Sequence, residues 1–448
     1  MIPGHELVDR ALAYSRSAEA MVIVHDSTDA SLRWARNSMT TNGIAESREW
    51  TVIAVSAEGG VGSVTSTSVD PADIEAVVRA AEAAANAAPP ATDRMPLPDA
   101  DGEAWDSEPA TTSIDIFSGI TPGLAAGFAA SDELYGFAHH QVVNTWLGST
   151  TGLRRAHVQP TGSIEINGKR TGSSAWVGAG TADFRDVDVD DLLAQLTQRL
   201  DWCTRRVDLP AGRYDTILPP SAVADLMIYL YWTMEGRGAH EGHSAFAHDG
   251  KTRVSERLST LPLTLFSDPT FTGLECEPFI ATTNSSDMLS VFDNGLAVGR
   301  TNWIHDGVIS NLIYPRATAA EFGATFTAPA DNLILNVGSS ASIDDLVANT
   351  ERGLLLTTLW YIREVDPASL LLTGLTRDGV YLIENGQIAG EVNNFRFNES
   401  PIDLLRRATD VGTTERTLPR EWKDWFTRTA MPPMRIPDFH MSSVSAAT

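Results

Sequence analysis

Helix-like and strand-like runs of apolar residues alternate along the first part of the chain, and strand-like runs dominate towards its end. Residues 5–17 place Leu7, Ala11 and Leu12 at helical spacing. Residues 21–24 are a short apolar run, and residues 31–35 and 50–56 have the make-up of strands. Gly59-Gly60 marks a turn between two strand candidates. A helix is expected next: Asp70 caps it, Pro71 suits its first position, and Glu75 adds negative charge near its start. Ile74, Val77, Val78 and Ala81 form its apolar stripe, and Pro89-Pro90 stops it. Residues 89–108 hold six acidic residues, one arginine and four prolines with little periodicity, which predicts a solvated linker pinned at Trp105.

Beyond the linker, a helix is expected near 122–134 and hairpins through 136–180, where Gly, Asn and Ser punctuate short alternating runs. Residues 189–206 predict an amphipathic helix with Leu192, Leu193, Leu196 and Leu200 inward and Cys203 continuing that face. Residues 221–236 predict an apolar, buried helix. From about 261 onward, short branched apolar runs separated by turn dipeptides predict a barrel or folded-over sheet. Two short helices are expected there, over 341–350 and 400–409, each opened by a capping serine, Ser342 and Ser400. The prolines after Met431 and the SSVSAAT ending predict a frayed tail. The expected class is α+β, with an N-terminal α/β region (1–90), an acidic linker (91–111), a central β-hairpin and helix region (112–210) and a β-rich C-terminal barrel-like or folded-sheet domain (211–448).

Charge narrows the function. The 448 residues contain 33 Lys and Arg against 58 Asp and Glu, a net charge of −25. Phosphate backbones and anionic membrane surfaces repel such a chain, so neither nucleic acid nor membrane is an expected partner. No apolar run approaches the roughly 20 residues of a membrane-spanning helix. Two cysteines, Cys203 and Cys276, make neither a disulfide framework nor a zinc module. The mixed polar start resembles no secretory leader, and a cytoplasmic location is expected.

Candidate chemistry concentrates in EGRGAHEGHSAFAHDG, which holds His240, Glu241, His243 and His248. A helical zinc-protease motif needs two histidines on one helix face with a glutamate beside the first. The positions four and five after His240 are Ser244 and Ala245, so neither spacing closes. Gly236, Gly238 and Gly242 argue for a loop. His139-His140 with His157 is a second conceivable cluster, but neighbours in a strand point to opposite faces. No G-x-S-x-G or Walker-type loop occurs, and nothing marks one serine as a nucleophile.

The wording of the second half is recognisable. MEGRGAHEGHSAF followed by LPLTLFSDP resembles the TldD/PmbA family segment in which a helix leads to a Gly-rich turn, a strand and a DDP-type turn. SVFDNGLAVGRTNWIHDGVISNLIYPRATAAEFG is similar to the family's FD-x-EG stretch, with Asn294 where the family often has Glu. The block from GLLLTTLWYIREV to ESPIDLL resembles its closing strand series. The resemblance is strongest over 222–408. It implies a two-subunit peptidase in which a TldD-type chain carries zinc on H-E-x-x-x-H and a TldE (PmbA)-type chain lacks that motif. This chain resembles the TldE type, which implies no metal or cofactor of its own, zinc on a TldD-type partner, and peptides or unfolded polypeptides as substrate. A homodimer is conceivable for the chain alone. Thr373, Gly374, Arg377, Asp378, Asn393, Asn394 and Arg396 are candidate peptide contacts, since they sit on turns beside strands to which an extended peptide could add. The 377–379 and 393–394 positions read more simply as a hairpin turn and as a bulge or cap. Two alternatives stand beside this: a self-sufficient metallopeptidase built on His240, Glu241, His243 and His248, and a non-enzymatic peptide-binding scaffold.

Overall fold

The structure, a computed structural model, describes residues 2–446 apart from 103, 104 and 107. Helix α1 (Gly4–Tyr14) leads into a long hairpin of β1 (Glu19–Ala35) and β2 (Ser38–Val55), followed by β3 (Val61–Ser66). The apolar runs at 21–24 and 31–35 are the two ends of the single 17-residue strand β1. Arg36 and Asn37, with φ of 49° and 59°, make its two-residue turn, the left-handed geometry that matches strand twist. Asp70 caps as expected, its Oδ1 accepting the Ala72 N–H at 2.9 Å. The cap opens a 3-10 turn over Pro71–Asp73, and α2 (Ile74–Ala87) begins after it.

The linker is held down at Trp105. Its carbonyl accepts the Trp146 Nε1–H at 3.2 Å, and the Arg154 guanidinium lies 5.0 Å from its ring. After it come α3 (Thr121–Phe128), β4 (Glu133–Ser149), β5 (Arg154–Arg170), β6 (Ser173–Thr181) and α4 (Val189–Trp202). Strand β4 pairs with β1 from Met21↔Ser149 to Trp34↔Gly136, so the stretches on either side of the linker share one antiparallel sheet, ordered β3-β2-β1-β4-β5-β6. Helices α1 and α2 cover one half of a face of this sheet, packing Leu7, Val8 and Val78 on Val22, Trp50 and Trp146. Helices α3 and α4 cover the other half, with Leu124, Leu196 and Leu200 against Trp34, Ile164 and Ile166. Cys203 follows α4 as its cap, half-buried, and burial pushes its thiol up to about 11.

The C-terminal region is built on α5 (Pro220–Trp232), apolar all round and therefore buried, as the sequence predicts. Two sheets share its core. The larger, of ten strands, runs from Leu359–Asp366 at one edge through Leu371–Thr376, Phe395–Glu399, Met434–Val444, Gly212–Leu218, Arg352–Leu356, Val380–Glu384 and Gln387–Val392 to Arg206–Val207 at the other, and its tenth strand, Asp410–Val411, pairs with Met434–Val444 off this path. The smaller, of six, is centred on Thr264–Ser267 and Leu333–Asn336. Both sheets keep free ends, so the class is α+β with folded sheets and, among the described residues, no closed barrel.

Two expectations are corrected. Residues 434–444 are not part of a frayed tail, while 447 and 448 lie outside the described residues: Met434–Val444 is an interior strand, paired with Phe395–Glu399 and Gly212–Leu218. Met434, Ile436, Phe439 and Met441 are buried, and Pro437 is tolerated because the register shifts between Ile436 and Phe439, where Asp438 takes φ 55°. Ser400 stands at a helix start without capping it; its Oγ–H donates to the Ser369 carbonyl at 2.8 Å. Ser342 does cap, in a reciprocal box with Asp345.

Candidate functional site

Helix α5 ends at Trp232, and α6 (Gly236–Glu241) follows across a short break. Gly236 is required there, because a Cβ would lie 2.0 Å from the Tyr314 ring. That close crossing sets the environment of His240. Its Nε2 is 3.1 Å from Tyr314 Oη, and its ring stacks on Phe322 at 4.2 Å with the planes 4° apart. Glu241 pairs with Arg237 at 3.3 Å and lies 3.6 Å from His243 Nδ1. The side chains of His243 and His248 are 75% and 71% exposed, and His248 faces Asp249 at 3.7 Å. Of the four residues only Glu241 and His243 meet each other, and the rest make separate local contacts. Among the described residues, no group of three or more His, Cys, Asp or Glu is arranged to hold a metal ion.

Helix α5 itself contains neither histidine nor glutamate. Its one carboxyl, Asp225, is fully buried, and burial pushes it well above the usual carboxylate range. Its Oδ1 accepts the Glu421 N–H at 2.9 Å, its main-chain carbonyl accepts the Trp422 Nε1–H at 2.8 Å, and Oδ2 has no partner. This is an anchor for the 420–422 segment. Catalytic zinc takes three protein ligands and a water, and neither α5 nor α6 offers that set.

The candidate peptide contacts fall on interior strands and their connections. Thr373 Oγ1 shares its one proton between the Phe397 carbonyl at 3.1 Å and Asn398 Oδ1 at 2.9 Å, and Arg396 Nη1 reaches the same hydroxyl at 3.3 Å. A Cβ on Gly374 would lie 2.5 Å from the Phe397 ring. Asn393 Oδ1 accepts the Leu209 N–H at 2.7 Å, and Asn394 Oδ1 accepts from Thr376 Oγ1 at 3.2 Å. Strands Leu371–Thr376 and Phe395–Glu399 are paired on both sides, so neither offers the open edge that strand addition needs. Arg377 and Asp378 form a turn, Asp378 with φ 51°. Asn294 is fully buried, its amide bonded both ways to the Thr282 backbone at 2.7 and 2.8 Å.

Asp378 has a further role that its turn position does not show. It accepts from Ser174 Oγ and pairs with Arg420 Nη2 at 2.6 Å. The Arg420 guanidinium lies between the rings of Trp176 and Trp360, 5.5 and 5.3 Å from their centroids. Beside it, the Glu421 carboxylate accepts the Tyr361 and Ile362 N–H groups at 2.9 and 3.0 Å. These bonds tie the 420–422 segment to β6 and to the edge strand Leu359–Asp366. The histidine candidates of the first sheet divide as strand alternation requires. His140 is buried between Thr112 Oγ1 and the Ala182 carbonyl, at 2.7 and 2.8 Å. His139 is on the other face, its Nε2 3.0 Å from Asp29 Oδ1. His157 bonds Gln159 Oε1 at 3.0 Å, and its register partner is Thr145, six residues along β4 from His139.

Residues 211–443 match the model of the PmbA/TldA metallopeptidase C-terminal domain, and residues 20–88 match that family's domain 1. No curated protein matches the sequence. Among solved structures, TldE from Thermococcus kodakarensis superposes with a TM-score of 0.80 at 16% identity, over 97% of this chain and 98% of that one. A protein of Bacteroides thetaiotaomicron, named as a candidate modulator of DNA gyrase, gives 0.80 at 15% identity over 99% and 100%. One of Thermotoga maritima, similarly named, gives 0.77 at 16% over 97% and 99%. At these identities the structures establish the fold, which is TldE-like, while the C-terminal family model spans more than half the sequence. The chain belongs to the PmbA/TldA metallopeptidase family.

Proposed function

We propose that this chain is a TldE-type subunit that binds no catalytic metal and works with a TldD-type metallopeptidase chain on peptides or unfolded polypeptides. The observation that carries the proposal is the state of His240, Glu241, His243 and His248. His240 is occupied by Tyr314 and Phe322, Glu241 by Arg237, and the other two imidazoles stand in solvent. A hydrolytic zinc draws on three converging ligands to acidify its water. On this proposal zinc and general base come from the partner chain. The chain acts in the cytoplasm; its two free, burial-protected thiols suit a reducing compartment.

Reconstitution tests this. The purified chain should retain no stoichiometric zinc and cleave no peptide alone. Activity should appear when a TldD-type chain carrying H-E-x-x-x-H is added. In that mixture the His240→Ala, Glu241→Ala double variant should keep activity within about threefold. A loss beyond about a hundredfold with folding retained is the size expected for a general base, and it would sink the proposal.

A further inference from the structure

The six-stranded sheet carries helices on one face, and the other face holds a pocket of about 260 Å³ walled by the segment that follows Trp422. Alternating residues of β4 and β5 make its floor. Phe137 is in register with Glu165, His139 with Ser163 and Gln141 with Thr161. Lys423 and Asp424 stand at its side. The volume suits one side chain rather than a whole drug-sized ligand.

Asp29 on β1 organises this floor. Its Oδ1 accepts from His139 Nε2 at 3.0 Å and from Gln141 Nε2 at 2.9 Å, and its Oδ2 accepts from Ser27 at 3.2 Å. With its amide nitrogen committed, Gln141 keeps its carbonyl oxygen as an acceptor. Glu165 accepts from Trp176 Nε1 at 3.1 Å and holds Lys423 Nζ at 3.3 Å; Asp424 shares that ammonium at 3.1 Å. Phe137 offers an aromatic ring, stacked beside His139 at 5.8 Å. The Arg33 guanidinium already lies 5.6 Å from that ring. Within the lining, two carboxylates, Glu165 and Asp424, share one ammonium, Lys423; beside it Asp29 and Arg33 add one charge of each sign, and Arg428, which donates to Thr161 Oγ1, is paired with Asp331 at 2.9 Å. The pocket thus combines surplus negative charge, fixed acceptors and an aromatic ring.

We propose that this pocket binds an arginine side chain of a polypeptide. Carboxylate and amide oxygens match the donors of a planar guanidinium, and the ring suits its cationic face. The inference rests on the proposed action on peptides and adds a preference for basic residues.

Calorimetric titration of the full chain with the blocked pentapeptide Ala-Ala-Arg-Ala-Ala tests it, against the same peptide with neutral citrulline in place of arginine. The arginine peptide should bind at least tenfold more tightly. Asp424→Asn, at a side chain 67% exposed and so harmless to folding, and Glu165→Gln should each shrink that ratio at least threefold. Equal affinity for the two peptides, no binding of either, or an unchanged ratio in both variants would overturn the pocket assignment. Equal cleavage of the two peptides by the reconstituted pair would overturn it while leaving the subunit role standing. Preferential arginine binding by a chain that never supports cleavage would uphold the pocket and reject the subunit role.

Discussion

Glu277 is a carboxyl whose position alone sets its acidity. Burial pushes it up to about 7 against the opposing pull of the Thr145 hydroxyl of the first sheet, and its Oε1 has no hydrogen-bond partner. A carboxyl raised in the folded state stabilises most below its usual value near 4.5, and that contribution is lost as pH rises through about 7. The difference is worth up to about 3 kcal/mol. Glu277→Gln should therefore come closest to the wild type in urea unfolding at pH 4 and exceed it at pH 8; equal stabilities at pH 8 would contradict the assignment. Asp225 poses the complementary case. Asn at 225 keeps an acceptor for the Glu421 N–H and should cost less than about 1 kcal/mol, whereas Ala leaves that donor buried and should cost about 1–3 kcal/mol. Denaturant midpoints of the two variants separate these outcomes.

Elements were most legible where one helix or strand buries one continuous apolar face. α2, α4 and α5 follow from their stripes or their all-round apolarity, because helix burial repeats within one turn. The strand Met434–Val444 was not legible: a proline and a bulge break its alternation, and its neighbours at 212–218 and 395–399 are distant in sequence. Its placement between them makes it structural. Deleting residues from Met434 onward should abolish soluble, folded protein, read by expression yield and circular dichroism. A folded truncate would mean that the ten-stranded sheet can close without its interior strand. The candidate peptide segments illustrate a related point. Turn dipeptides mark strand ends, but they do not reveal whether the strand is interior or at an edge.

At the scale of the whole molecule, a charge of −25 makes two copies repel. Salt screens such repulsion, with a Debye length of about 10 Å at 0.1 M. Any self-association of the chain alone should strengthen from 20 mM to 300 mM salt in sedimentation velocity; weakening over that range would show that paired opposite charges, not apolar contact, hold the copies together. Among the described residues, no helix is long and apolar enough to cross a membrane, as the sequence predicts. The 420–422 segment shows what scale adds. Arg420, Glu421 and Trp422 carry no motif, yet they tie β6, the edge strand Leu359–Asp366 and α5 to one point.

By itself the sequence determined the α+β class, the buried helix α5, the capped turns at Asp70 and Ser342, and the lack of a closed zinc spacing at His240. Each of these depends on residues within a few positions of one another. Tertiary structure decided that the stretches flanking the linker form one sheet, that the last strand is interior, and that Asp29 aligns His139 and Gln141 over a pocket. Those outcomes depend on strand register between segments more than a hundred residues apart, and hydrophobic periodicity carries no information about which strands will meet.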